Sequence, residues 1–204
     1  MQNRAIAQSG FLKVEARDGV AIVTIDRPER KNAMNQAMWR EMADIFARFT
    51  DDGDVRAVIL TGAGDDFCAG ADISEFESLR GTASSAMAYE KGNSAAFTAI
   101  RTCPVPTIAA IRGICFGGGF GLAAACDLRI ASGHALFCVP AARLGLAYPV
   151  DAMEDIVNAV GPQMAKYLTY TAARLDSKSV METGFLLEIV EPAGTCPASM
   201  LMTR

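Results

Sequence analysis

Gly117-Gly118-Gly119-Phe120-Gly121 follows an apolar run and leads into the helix-like Leu122-Ala123-Ala124-Ala125-Cys126. A second stretch, Phe67-Cys68-Ala69-Gly70-Ala71-Asp72-Ile73, also stands just after an apolar, strand-like run. Small residues in such places leave backbone N–H groups bare to a ligand, and a helix N-terminus adds positive potential. Two such stretches in one domain imply a pair of N–H donors converging on one oxygen. That is the arrangement of an oxyanion hole, and it points to acyl chemistry.

Working outward, residues 11–17 alternate apolar and polar, Asp18-Gly19 turns the chain, and residues 20–25 continue as a strand, which predicts a hairpin. Asn35 is placed to cap a helix whose apolar stripe is Met38, Met42, Ile45, Phe46 and Phe49. Residues 57–60 and 107–111 read as buried strands ending at Gly62 and Gly113, with short strands at 128–131 and 136–139. Helical patterns resume over 150–160, 162–171 and 177–183, broken at Gly161-Pro162 and Gly184, and 186–190 reads as a last strand. Residues 74–102 mix Ser, Ala, Gly and charge, which suits a mobile helical excursion over a site. Short buried strands alternating with helices predict an α/β fold.

With 204 residues, 51% hydrophobic and 21% charged, the chain is long and apolar enough for one domain with a substantial core. The net charge of −4, with no dense Lys/Arg run, argues against nucleic acid or an anionic membrane as partner. No apolar run reaches membrane-spanning length, and the N-terminus lacks the apolar core of a signal peptide. The six cysteines show no metal-ligand spacing, so a reduced, cytoplasmic setting and no metal site are expected. Neither GxGxxG nor a Walker motif is present, which weakens dinucleotide and nucleotide readings.

From residue 11 to 191 the chain resembles the crotonase, or enoyl-CoA hydratase/isomerase, superfamily. The landmarks are Arg27-Pro28 with Asn32-Ala33, Leu60-Thr61-Gly62, the stretch from Phe67 to Ile73, that from Gly113 to Ala125, Cys126-Asp127, and 184–190. The resemblance implies a spiral of ββα repeats with a helical C-terminal part, assembled as trimers or dimers of trimers. It implies an acyl-CoA substrate, with no cofactor beyond its coenzyme A, and an enolate oxygen held by the N–H groups of Ala71 and Gly118. It further implies coenzyme A contacts at Lys31, Ala33, Ala69, Asp72, Ile73 and Gly117, with Arg30 and Lys31 near phosphates.

Hydratases of that family carry two glutamates where this chain has Gly121 and Ala141. Neither residue can hold a water or move a proton, and losing a general acid or base typically costs ~10²–10⁴-fold. Classical hydration is therefore not expected. Tyr148 resembles a tyrosine that lies beside the departing carboxylate in the family's decarboxylases, or else it packs as a half-buried aromatic. Asp151, Glu154 and Asp155 share a helix face and could supply the single base of a double-bond isomerase. Acidic residues in a first helical turn are also favoured by the helix dipole alone. Glu75 and Glu77 are weaker candidates, His134 reads as a turn residue, and Cys68 and Cys138 read as packing.

The expected activity is thus decarboxylation or isomerisation of an acyl-CoA. The alternative is a catalytically degenerate acyl-CoA-binding or oligomer-forming subunit. Residues 192–204 read as an irregular tail, where family members continue into further helices.

Overall fold

The computed structural model describes residues 10–50, 52–76 and 82–190. Alternating burial over Leu12–Arg17 (β1) and Val20–Ile25 (β2) gives an antiparallel pair joined at Asp18-Gly19. Both turn residues have positive φ, as a two-residue hairpin loop requires. Ala57–Gly62 (β3), Thr107–Ile111 (β4), Leu128–Ser132 (β6) and Glu188–Val190 (β9) extend that hairpin in parallel, in the order β1-β2-β3-β4-β6-β9. All of β4 is buried, as befits a central parallel strand covered on both faces.

Ile114–Phe116 (β5), Leu136–Cys138 (β7) and Leu175–Asp176 (β8) form a second, three-stranded sheet. The chain steps from β4 to β5, then returns through the helix Gly118–Ala125 (α3) to β6. It repeats the move through β6, β7 and the long helix Val150–Thr171 (α4). Two strands and a helix per turn is the ββα spiral that the family resemblance implies.

Gln36–Arg48 (α1) starts where Asn35 accepts from the Met38 N–H at 2.9 Å. All five residues of its expected stripe are buried, and so is Trp39. Within the helical excursion expected over 74–102, Ala83–Arg101 (α2) is one continuous helix with a Thr82/Ser85 capping box, packed on α1. Its many small residues give a weak apolar stripe yet permit close approach to α1. Helix α4 bends at Gly161 (φ 77°), just before Pro162, where the break was expected. The helix expected over 177–183 is shorter, Ser177–Met181 (α5), and the last strand begins at Glu188.

The core holds close aromatic pairs among its aliphatic side chains. Phe120 stacks on Phe185 at 4.4 Å between ring centres, and Trp39 meets Phe97 edge-on at 5.4 Å. No helix among the described residues is long and apolar enough to cross a membrane. The tail expected at 192–204 lies outside the described residues.

Candidate functional site

Two backbone segments, one after β3 and one after β5, form the centre of the site. Met34 bridges the first: its N–H donates to the Gly70 carbonyl at 2.8 Å, and its carbonyl accepts the Asp72 N–H at 2.9 Å. Groups alternate in direction along an extended chain, so the N–H of Ala71 faces away from Met34. Gly70 makes the approach with φ +99°, and a Cβ there would stand 3.0 Å from the Gly118 nitrogen. A Cβ on Gly118 would in turn stand 3.5 Å from the Ala71 nitrogen. The two nitrogens are therefore neighbours, and neither N–H donates to a protein acceptor among the described residues.

The second segment is held as firmly. The Gly117 N–H donates to the Cys138 carbonyl at 2.8 Å, while the Gly117 carbonyl accepts from Gly121 N–H at 3.1 Å and from the Tyr148 hydroxyl at 2.6 Å. Carbonyl and N–H point oppositely across a trans peptide, so fixing the Gly117 carbonyl aims the Gly118 N–H the other way. Gly118 also begins α3, whose dipole makes that N–H more positive. Two such donors can share one oxygen that gains negative charge.

They open on a pocket walled by Ala69, Ala71, Ile73 and Phe76 on one side and by Trp39, Asn93 and Phe97 of α1 and α2 on another. Pro140, Ala141, Leu144 and Leu146 to Pro149 complete the wall. Among the described lining residues none is Asp, Glu, His, Lys or Arg. Tyr148 is the one titratable group among the described lining residues. Burial, foremost, lifts its phenol far above the ordinary value of 10.0, so it stays neutral.

The residues expected at the site divide into two groups. Ala71, Gly118, Gly117, Ala69, Ile73 and Tyr148 come together at the pocket. Of the two readings of Tyr148, the bond from its hydroxyl to the Gly117 carbonyl fits the half-buried aromatic whose hydroxyl is satisfied. Asp151 is not in the pocket wall; its carboxylate takes the Ser94 hydroxyl. Asp155 is held by Arg101 Nη1 at 2.6 and 2.7 Å, and Glu154 is exposed. Burial, opposed by Arg101, raises the Asp155 carboxyl above its ordinary value.

Lys31 is exposed and 3.3 Å from Asp66, and the Ala33 carbonyl accepts from Arg27 at 3.1 Å; neither lines the pocket. Glu75 accepts from the Gln36 N–H at 2.9 Å, and Glu77 lies outside the described residues. His134 is exposed in its turn. Burial pushes the Cys68 thiol up to about 12, which fits packing rather than chemistry.

Asp72 orders its loop: its backbone N–H is taken by Met34, and its carboxylate accepts from Arg27 at 2.7 Å and from the Ser74 hydroxyl at 2.6 Å. Burial opposes its charge, but the bonds from Ser74 and Arg27 outweigh it and hold the carboxyl below its ordinary 3.8. A depressed folded value stabilises the protein above 3.8 and ceases to do so as pH falls through the lower folded value. Asp72→Asn is therefore expected to cost about 2–4 kcal/mol near pH 7, since the mostly buried Arg27 loses its close carboxylate and keeps the Ala33 carbonyl and Glu29 at 3.8 Å. Urea denaturation should show the deficit shrinking in acid. A pH-independent deficit would sever the effect from the charge pair.

Sequence reasoning missed Trp39, Asn93 and Phe97. Tyr89, Asn93, Phe97 and Ile100 recur at helical spacing, so an asparagine within an apolar stripe was the available signal.

Residues 15–195 match the model of the enoyl-CoA hydratase/isomerase family. A mitochondrial Delta(3,5)-Delta(2,4)-dienoyl-CoA isomerase of Mus musculus is 34% identical over 190 residues, 86% of this chain and 57% of the relative. A short-chain-enoyl-CoA hydratase of Clostridium acetobutylicum is 37% identical over 181 residues, 88% of this chain and 69% of the relative. The chain thus spans little more than half the length of some relatives it matches. Among solved structures, an enoyl-CoA hydratase/carnithine racemase from Magnetospirillum magneticum superposes with TM-score 0.88 at 33% identity, covering 92% of this chain and 70% of that one. AtuE of Pseudomonas aeruginosa gives TM-score 0.86 at 33% identity, covering 90% and 71%. In sequence and in fold, this chain belongs to the enoyl-CoA hydratase/isomerase family.

Proposed function

We propose that the chain binds an acyl-CoA thioester with its carbonyl oxygen between the N–H groups of Ala71 and Gly118, and that its reaction is loss of CO₂ from a carboxylated acyl group. The observation that carries this reading is two neighbouring unpaired N–H donors opening on a pocket whose described walls hold no ionised side chain. Breaking the C–CO₂ bond sends its electron pair into the thioester as an enolate, and CO₂ leaves. The enolate carbon then takes a proton from water. No protein carboxylate is required, only stabilisation of the new oxyanion, where one donor is typically worth ~3 kcal/mol. Coenzyme A is part of the substrate, and the reaction as written calls on nothing further.

Hydration and isomerisation both need a base that touches the substrate. Asp151 and Asp155 are engaged elsewhere, and Glu154 faces solvent. Within this reading Tyr148 is a positioning residue: its hydroxyl holds the Gly117–Gly118 peptide and thereby aims a donor. A second reading, a binding subunit without turnover, draws on the same bond, which leaves the pocket's phenol no proton to give.

The test is a panel of crotonyl-CoA, a 3-enoyl-CoA and methylmalonyl-CoA, each followed for binding and for turnover. CO₂ release from methylmalonyl-CoA, with no hydration of crotonyl-CoA, is the expected result. Efficient hydration would overturn it. Binding of all three without turnover would favour the subunit reading.

A further inference from the structure

Asn93 is a wall residue whose carboxamide the proposed reaction does not use. It sits on α2 one turn before Phe97 and is 8% exposed. Its carboxamide oxygen is buried and accepts no hydrogen bond. Trp39, on the same wall, keeps a buried indole N–H that is also without a partner. Polar groups taken from water and left unpaired cost stability, so a fold rarely retains two beside one cavity without use for them.

Resting on the thioester reading above, we propose that Asn93 selects the acyl group. The pocket then takes thioesters whose acyl chain carries a second oxygen function, hydroxyl or carboxyl, over plain hydrocarbon chains. A carboxamide offers an acceptor and two donors, so it can serve either oxygen. The remaining wall is largely apolar and, among the described residues, carries no formal charge. A hydrocarbon chain would therefore leave Asn93 desolvated and unpaired, whereas an oxygen function would pair it. Sites built to bond a polar substituent reject analogues that lack it for this reason. A carboxylate held there only by neutral groups is not locked by an ion pair and remains free to leave as CO₂.

Calorimetric titration of the full chain with butyryl-CoA, 3-hydroxybutyryl-CoA and succinyl-CoA tests this. The carboxylate of succinyl-CoA cannot depart through the thioester enolate, so binding is read without turnover. At least one oxygenated thioester should bind about tenfold or more tighter than butyryl-CoA. Asn93→Leu, similar in shape, should erase that preference while butyryl-CoA binding holds or tightens. Without ligand, Asn93→Leu should melt about 2–4 °C higher, because a buried unpaired amide has gone.

Asn93→Asp then names the oxygen: it keeps an acceptor for a hydroxyl and repels a carboxylate, so loss of succinyl-CoA binding assigns the carboxyl. A preference that survives Asn93→Leu, absence of any preference in the unaltered protein, or a lower melting temperature would overturn the assignment while the thioester reading stood. Failure of all three thioesters to bind would overturn that reading and this inference together.

Discussion

Gly118→Ala is expected to leave a folded protein whose turnover of its thioester is reduced ~100- to 1,000-fold, as when an oxyanion donor is lost. The added methyl would stand 3.5 Å from the Ala71 nitrogen, in the space where a shared oxygen must lie. The same methyl would meet the Trp39 ring at 2.9 Å, so the indole must shift. Trp39→Phe removes that ring edge but not the methyl, and the double variant should regain stability without regaining turnover. One residue on, the neighbour changes from side chain to backbone. A Cβ on Gly119 would overlap the Cys68 carbonyl and come within 2.8 Å of the Cys68 Cβ, and backbone cannot yield as a ring can. Gly119→Ala should therefore cost roughly 3 kcal/mol or more and yield little folded protein. Full turnover in Gly118→Ala would place the reacting oxygen elsewhere, and unchanged stability in Gly119→Ala would show that α3 is free to move off β5 and its neighbours.

The contrast between those glycines marks what was legible in the sequence. Alternation over residues 12–25, the Asn35 cap and the fully apolar Thr107–Ile111 are local signals, and the structure carries them out with boundaries shifted by a residue or two. The pairing of Ala71 with Gly118 was legible only through the order of motifs shared with a family, since nothing local to either stretch fixes their distance. Helix α2 was legible only as a helical excursion without bounds, because Ser, Ala and Gly dilute the stripe of Tyr89, Phe97 and Ile100, and its packing on α1 acts only in the folded chain. Asp151 misled for the opposite reason. Helical spacing shows which residues share a face, but not that Ser94 of another helix occupies the carboxylate. Arg27, which ties Asp72 down from 45 positions away, was likewise beyond any pattern of spacing.

Gly121→Glu with Ala141→Glu would put carboxylates at the two positions where the family resemblance implies them, yet the double variant is expected to hydrate crotonyl-CoA no faster than the unaltered protein. A Cβ at residue 121 would lie 3.0 Å from the Phe97 ring and 3.0 Å from the Tyr148 hydroxyl, so both must give way before a first glutamate fits. Forcing it in should cost about 2–4 kcal/mol from overpacking and from burying a carboxyl beside two aromatic groups. Burial would raise that carboxyl's folded pKa above its unfolded value. The protonated form is then the tolerated one, so the deficit should be small in acid and grow as pH rises through the raised value. Denaturant midpoints at pH 5 and pH 8 read this directly, with the larger gap between variant and parent expected at pH 8. Hydration arising in the double variant alone would mean the pocket is still shaped for those carboxylates. The contacts argue otherwise: Gly121, Phe97 and Tyr148 fit one another, and the Tyr148 hydroxyl that fills the space also steadies the Gly117 carbonyl behind the Gly118 donor. A glycine at 121 and support of the donor are then one packing solution, and a carboxylate placed there would disturb both.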